Sequence, residues 1–320
     1  MAHTRSNKRG RRRILRREAP HIVPVVADEA HFARMRSYRT FAFDDHRNYL
    51  HQLEGLLRSL TADQVHARLA LFDAVDYELF CQEQRLDADS AASRSRYVAE
   101  VATTGTTVPY AGQALGRLLS ELRDAHACRL TWQAGVEILA RAGSCGRCGS
   151  DIGRAAFDRA ARAVGAVLEA AGCGVHHLVA SVAVPGSPLV TALDVRRDAE
   201  GALDAHESAV LALTTALAAG IATGSDGGLV LRTETGGSRA AAGRAPTAVS
   251  RTGGDEQTPR DVVRGWRLEA SVCWLRPLSA AEVFAAYCTD PATREPVAPE
   301  PGVEYAPGHA LPHPGGELHC

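Results

Sequence analysis

Three groups of residues in this 320-residue chain have the types and spacing that chemistry requires. The first is Asp44, Asp45 and His46 together with Asp73. They fall inside the stretch Arg39–Arg85, which reads as strand, helix, strand, helix, with each aspartate just past a strand end. Open α/β sheets bind ligands outside the carboxyl ends of their strands. One or two carboxylates suffice to hold Mg²⁺ when water and substrate phosphates complete the shell. Asp44 or Asp45 with Asp73 would then form a Mg²⁺ site, and His46 would serve as acid or base. Helix capping is the simpler account, because Asp is a favoured N-cap residue and Asp44 and Asp73 each stand where a helix begins. No glycine-rich phosphate loop follows either strand, which excludes a Rossmann or Walker motif.

The second group is Cys145-Gly-Arg-Cys148, followed downstream by Cys173-Gly-Val-His176-His177. On paper this is a zinc pattern. A helix over residues 153–171 is roughly 28 Å long, whereas four ligands of one zinc lie within about 4 Å of each other. The two halves therefore cannot share an ion. Cys145 and Cys148 remain able to hold zinc with ligands from elsewhere, or to act as a redox pair beside a helix N-terminus, where a thiol pKa falls. Plain turn cysteines are the simplest reading. His309, His313, His319 and Cys320 lie in a Pro/Gly-rich tail that does not preform a site. No serine stands in a nucleophile-elbow setting.

The third group is basic. Residues 1–17 hold eight basic side chains, among them Arg9, Arg11, Arg12, Arg13, Arg16 and Arg17, and no acid. With a formal net charge of −1 for the chain, about −9 is left for the remainder. Such an arm suits nucleic acid or another polyanion as partner, through salt-dependent contacts to phosphates. No aromatic residue is interleaved in it, so base stacking is not indicated.

The elements that must position these groups follow from periodicity. Tyr49, Leu50, Leu53, Leu56, Leu57 and Leu60 form one helical stripe. Val65–Phe72 alternates as a strand. The long crossover between the two strands of Arg39–Arg85 excludes a hairpin and predicts parallel pairing. The earlier run His21–Val26 is β-like, but Pro24 confines it to a sheet edge or an extended connection. Helices are expected over 28–36, 95–103, 112–142 and 151–171. A hairpin is expected over 176–195, then a helix over 200–222 and a strand over 228–235. Trp266–Trp274 alternates as a half-buried strand of an antiparallel sheet, and Ser279–Tyr287 reads as a final helix.

The organisation predicted is a basic arm (1–19), an α/β region with a helical extension (20–171), an α+β region (172–289) containing a disordered loop (236–259), and a Pro-rich tail (290–320). The fold class is α/β to α+β: an N-terminal β-α-β unit with helices, then a mixed or antiparallel sheet with helices. The uncharged run Ser208–Ser225 is short for a membrane span and carries a helical stripe, so it reads as a packed helix. No apolar signal follows the basic start, and the eight cysteines are expected to be reduced thiols in the cytoplasm. The preferred function is a binding or regulatory protein that contacts a polyanion through its arm. The alternatives are a Mg²⁺-dependent phosphoester- or nucleotide-processing enzyme and a zinc-stabilised structural protein.

Overall fold

The structure is a computed structural model that describes residues 21–234, 261–289, 293, 295–313 and 315. The basic arm and the predicted loop 236–259 lie outside the described residues. Two compact units divide between Ala127 and Cys128, whereas the sequence reading divides the chain at 171/172.

The first unit is a three-stranded sheet with helices. Strand β1 (His21–Val25) pairs in parallel with β2 (Ala67–Leu71), and β3 (Thr107–Pro109) pairs antiparallel on the other side of β2. Parallel pairing of two strands around a long crossover is as expected, but the first strand is His21–Val25. The segment Arg39–Phe43 is not a strand. Phe41 and Phe43 alternate because their rings pack on Tyr49, with centroids 5.9 and 5.0 Å from it. Pro24 sits in an edge strand, where a missing donor costs no ladder bond.

The crossover contains α1 (Glu29–Met35) and α2 (His46–Ala62). After β2 come α3 (Ala74–Gln84) and α4 (Ala91–Thr104), the latter capped by Ser90. The buried stripe of α2 is Tyr49, Leu53 and Leu57, spaced i, i+4, i+8 as an amphipathic helix requires. It joins Val23, Val25, Leu69 and Tyr77 in one core. Helix α5 (Leu115–Arg141) carries the chain across the division.

The second unit is a seven-stranded mixed sheet of order β10-β8-β7-β4-β5-β6, with β9 paired to β8. Strands β4 (Gly174–Val182) and β5 (Leu189–Arg197) form the predicted hairpin, and β6 is Leu203–Ala205. Strand β7 (Gly227–Glu234) pairs with both β4 and β8 (Asp261–Glu269). The run Trp266–Trp274 is two strands rather than one. It turns after Glu269, with Cys273 at φ 50°, and returns as β9 (Trp274–Pro277). Within the tail, β10 (Val303–Tyr305) adds to β8 in parallel.

Helices α6 (Ile152–Ala171) and α7 (Glu207–Thr223) pack with the sheet in the core of this unit. Gly220 of α7 shows how close they come. A Cβ there would stand 2.6 Å from Val182 Cγ1 and 2.7 Å from Leu268 Cδ2, so glycine is kept despite its helix penalty of about 1 kcal/mol relative to Ala. Among the described residues no helix is long and apolar enough to cross a membrane. The last helix, α8 (Ala280–Tyr287), starts with a Ser279–Glu282 capping box.

Candidate functional site

In the parallel ladder, alternate residues of β1 bond the same neighbour. His21 N–H donates to His66 and Val25 C=O accepts from Phe72, so the odd residues face β2. The backbone groups of Ile22 and Pro24 therefore point to the open side. At the end of this edge, buried Val26 has both of its backbone groups satisfied by α2. Its N–H donates to Tyr49 Oη at 3.1 Å, and its carbonyl accepts from His46 Nε2 at 3.0 Å. Burial raises the Tyr49 phenol pKa, partly offset by the Val26 N–H bond, so the ring stays neutral. His46, a candidate acid or base in the sequence, thus braces an edge strand.

Along the rest of that edge runs a cavity of about 750 Å³. One wall is β1 itself. Another is α2, through Tyr49, Leu53 and Leu56, and a third is the loop side chains Phe41 and Phe43. Helix α4 contributes Arg94, Ser95 and Val98. The wall is mostly apolar, and Arg94 is its cationic member.

Arg94 also fixes the loop that closes the site. Its Nη1 donates to Thr40 Oγ1 at 2.9 Å and its Nη2 to the Thr40 carbonyl at 3.1 Å. A guanidinium has five N–H donors, so these two bonds do not exhaust it. On the other side of Thr40, Asp89 accepts the Thr40 N–H at 2.8 Å and Arg39 Nε at 3.2 Å. Those hydrogen bonds, the Thr40 backbone one foremost, hold the Asp89 carboxyl down at about 2. The latch is ionised at all ordinary pH values.

The candidate carboxylates occupy helix starts. Asp45 Oδ1 accepts Asn48 N–H at 2.7 Å as the N-cap of α2. Asp73 Oδ1 accepts Val75 and Asp76 N–H at 2.7 and 3.0 Å as the N-cap of α3. Asp44 is exposed and lies one residue before the α2 cap, so the cap is Asp45 where the sequence reading had Asp44. His31 Nδ1 lies 3.4 Å from Asp73 Oδ1 but accepts the Ala74 N–H at 2.9 Å, so that nitrogen carries no proton to share with the carboxylate. Among the described residues no group of three or more His, Cys, Asp or Glu side chains is placed to hold a metal ion.

Cys145 and Cys148 lie in a tight hairpin closed by a Ser144–Asp151 bridge, just before α6. As expected, α6 separates them from Cys173 and His176. His176 is buried, with Nδ1 3.0 Å from Thr233 Oγ1 and Nε2 3.1 Å from the Gly172 carbonyl. The arm residues Arg9, Arg11, Arg12, Arg13, Arg16 and Arg17 lie outside the described residues.

The first unit is therefore an α/β domain with an apolar, arginine-bearing cavity at a sheet edge. Residues 10–113 match the model of a domain of unknown function, DUF8829, so the cavity falls within the matched stretch. No curated protein and no solved structure matches the chain.

Proposed function

We propose that the protein is an intracellular binding protein whose N-terminal unit takes a small amphipathic monocarboxylate. The apolar body lies in the cavity beside β1 and the carboxylate meets Arg94. The observation that carries this reading is the cavity itself. Its size falls in the range of about 300–1,000 Å³ that holds small-molecule ligands, and apolar walls with a few polar groups are the usual lining. Guanidinium is the natural partner for a carboxylate, since its planar fork matches the two oxygens. Asp45 and Asp73, two of the aspartates offered for Mg²⁺ chemistry, are engaged as caps, which favours binding over phosphoester processing.

Calorimetric titration of decanoate into the full chain tests the reading. One saturable site is expected. Leu56→Trp fills the cavity from a half-exposed position that the fold does not depend on, and it should abolish the heat. A decanoate isotherm unchanged by Leu56→Trp would remove the cavity from the account.

A second reading concerns the arm. Its eight basic side chains without an acid, on a remainder of about −9, support contact with nucleic acid or another polyanion. Neutralised phosphates give an affinity that falls steeply with salt. Duplex DNA binding measured against salt should weaken, and its salt slope flatten, when residues 2–17 are removed. Unchanged binding would dismiss the arm.

A further inference from the structure

We propose that the ligand is an N-acyl amino acid whose amide pairs with the open edge of β1 as an added strand does; this inference rests on the cavity reading above. It starts from the hydrogen-bonding groups of that edge. The outward residues are Ile22 and Pro24, followed by Val26 just past the strand end. Each backbone N–H and C=O needs a partner once water leaves it. Helix α2 supplies both for Val26, an acceptor from Tyr49 and a donor from His46. Among the described residues β1 pairs only with β2, so no strand meets Ile22 or Pro24 on the outer side. The groups left open there are the Ile22 N–H, the Ile22 carbonyl and the Pro24 carbonyl. Proline has no N–H, so acceptors outnumber donors along this stretch.

Ile22 and Pro24 both line the cavity. A ligand that fills it displaces water from their open groups, and a buried carbonyl left without a donor is costly. A fatty acid carries no N–H and leaves both carbonyls unanswered. An N-acyl amino acid answers one of them, and its shape suits an edge strand. In its extended form the amide N–H and the carboxylate project to the same side, as the N–H and C=O of one strand residue do. Two residues of an antiparallel pair exchange bonds in this way. Facing Ile22, the ligand N–H donates to the Ile22 carbonyl, and the Ile22 N–H donates to one carboxylate oxygen. Arg94, on the helix that contacts β1, takes the other oxygen with donors that Thr40 leaves it.

The acyl chain then runs among Phe41, Phe43 and Leu56, where the wall is apolar. Sheets take extended peptides at their edges by the same means, with main-chain hydrogen bonds giving affinity and pockets giving specificity. A cavity of about 750 Å³ is of small-molecule size, which favours one acylated residue over a longer peptide. Pro24 acquires a role in this arrangement. By removing a donor from the edge, it makes the edge select ligands that donate.

Calorimetric titration of three ligands into the full chain tests the pairing. They are N-octanoylglycine, octanoyloxyacetate, in which an ester oxygen replaces the N–H, and decanoate. N-octanoylglycine should bind about fivefold to tenfold more tightly than the ester, the scale of one hydrogen bond. Its amide proton should show nuclear Overhauser contacts to Ile22 and Pro24. An N-octanoylglycine affinity no greater than the ester's overturns the amide pairing. The cavity reading survives that result if decanoate binds and its heat is lost in Leu56→Trp. A gain in affinity whose amide contacts lie away from β1 also overturns the pairing. If none of the three ligands binds, both readings fall.

Discussion

The Tyr49 hydroxyl accepts a hydrogen bond from the backbone N–H of Val26 at 3.1 Å, 23 residues away in sequence. This bond satisfies the buried Val26 N–H at the end of the open β1 edge, beside the cavity that both residues line. Tyr49→Phe leaves the buried Val26 N–H without an acceptor, at a cost of about 1–3 kcal/mol. Urea denaturation should show that loss, and amide exchange at Val26 should accelerate. An unchanged midpoint would mean that Tyr49 contributes packing alone.

Asp45 and Asp73 give a separate prediction. If they act as caps, Asp45→Ala and Asp73→Ala should each cost about 1 kcal/mol of stability. Asn should largely replace either residue, because its side-chain oxygen accepts the same N–H bonds. A metal or catalytic role would instead leave Asn as damaging as Ala in a Mg²⁺-dependent assay.

How much of this was legible in the sequence depended on whether the determinant was local. Asp28, Asp73 and Ser279 sit just before helical stripes, and all three are caps, whereas the cap of α2 is Asp45, one residue past the Asp44 that the pattern suggests. The hairpin of β4 and β5 follows from a nearly continuous apolar run, a Pro-Gly-Ser-Pro turn and the spacing to the next strand. The first strand was misplaced because Phe41 and Phe43 alternate as strand residues do, while β1 carries a proline that counts against a strand. The cavity has no sequence motif, since its walls come from β1, a loop, α2 and α4. The one local hint was the density of Phe32, Tyr38, Phe41, Phe43 and Tyr49. The C-x2-C pair Cys145 and Cys148 is legible in the sequence, and so is its separation from Cys173 and His176 by α6.

The neighbours His176 and His177 face opposite sides of β4 and respond to pH in opposite ways. Burial lowers the His176 pKa. For His177, burial also pulls downward, but the carboxylates of Glu234 and Asp194, 3.1 and 2.5 Å from its ring nitrogens, outweigh it and raise the pKa. Arg232 lies across from His177 on the same face and is itself paired with Asp261 and Glu300. A raised histidine stabilises fully below its ordinary value of 6.5 and loses that contribution as pH rises through the folded value. At 41% exposure the effect should stay below about 1 kcal/mol. The stability difference between the wild type and His177→Gln should therefore be largest below pH 6.5 and shrink as the pH rises above it. A difference that grows with pH would contradict the pairing. His176→Gln should behave inversely, because a lowered histidine loses stability as pH falls.

In the proposed complex Arg94 meets the head group alone, so head group and alkyl body can be tested separately. Decanoate should bind about tenfold more tightly than decanamide, the scale of one charge-assisted bond of about 1.5 kcal/mol. Arg94→Gln should remove that preference while leaving decanamide binding in place. Equal loss for both ligands would show that Arg94 acts only by holding Thr40.

The most direct test of the cavity is to locate the ligand by nuclear Overhauser contacts between ¹³C-labelled decanoate and the full chain. The account predicts contacts from the alkyl chain to the ring protons of Phe41, Phe43 and Tyr49, and none in the Leu56→Trp variant. Binding without contacts to those rings, or contacts that persist in Leu56→Trp, would contradict it.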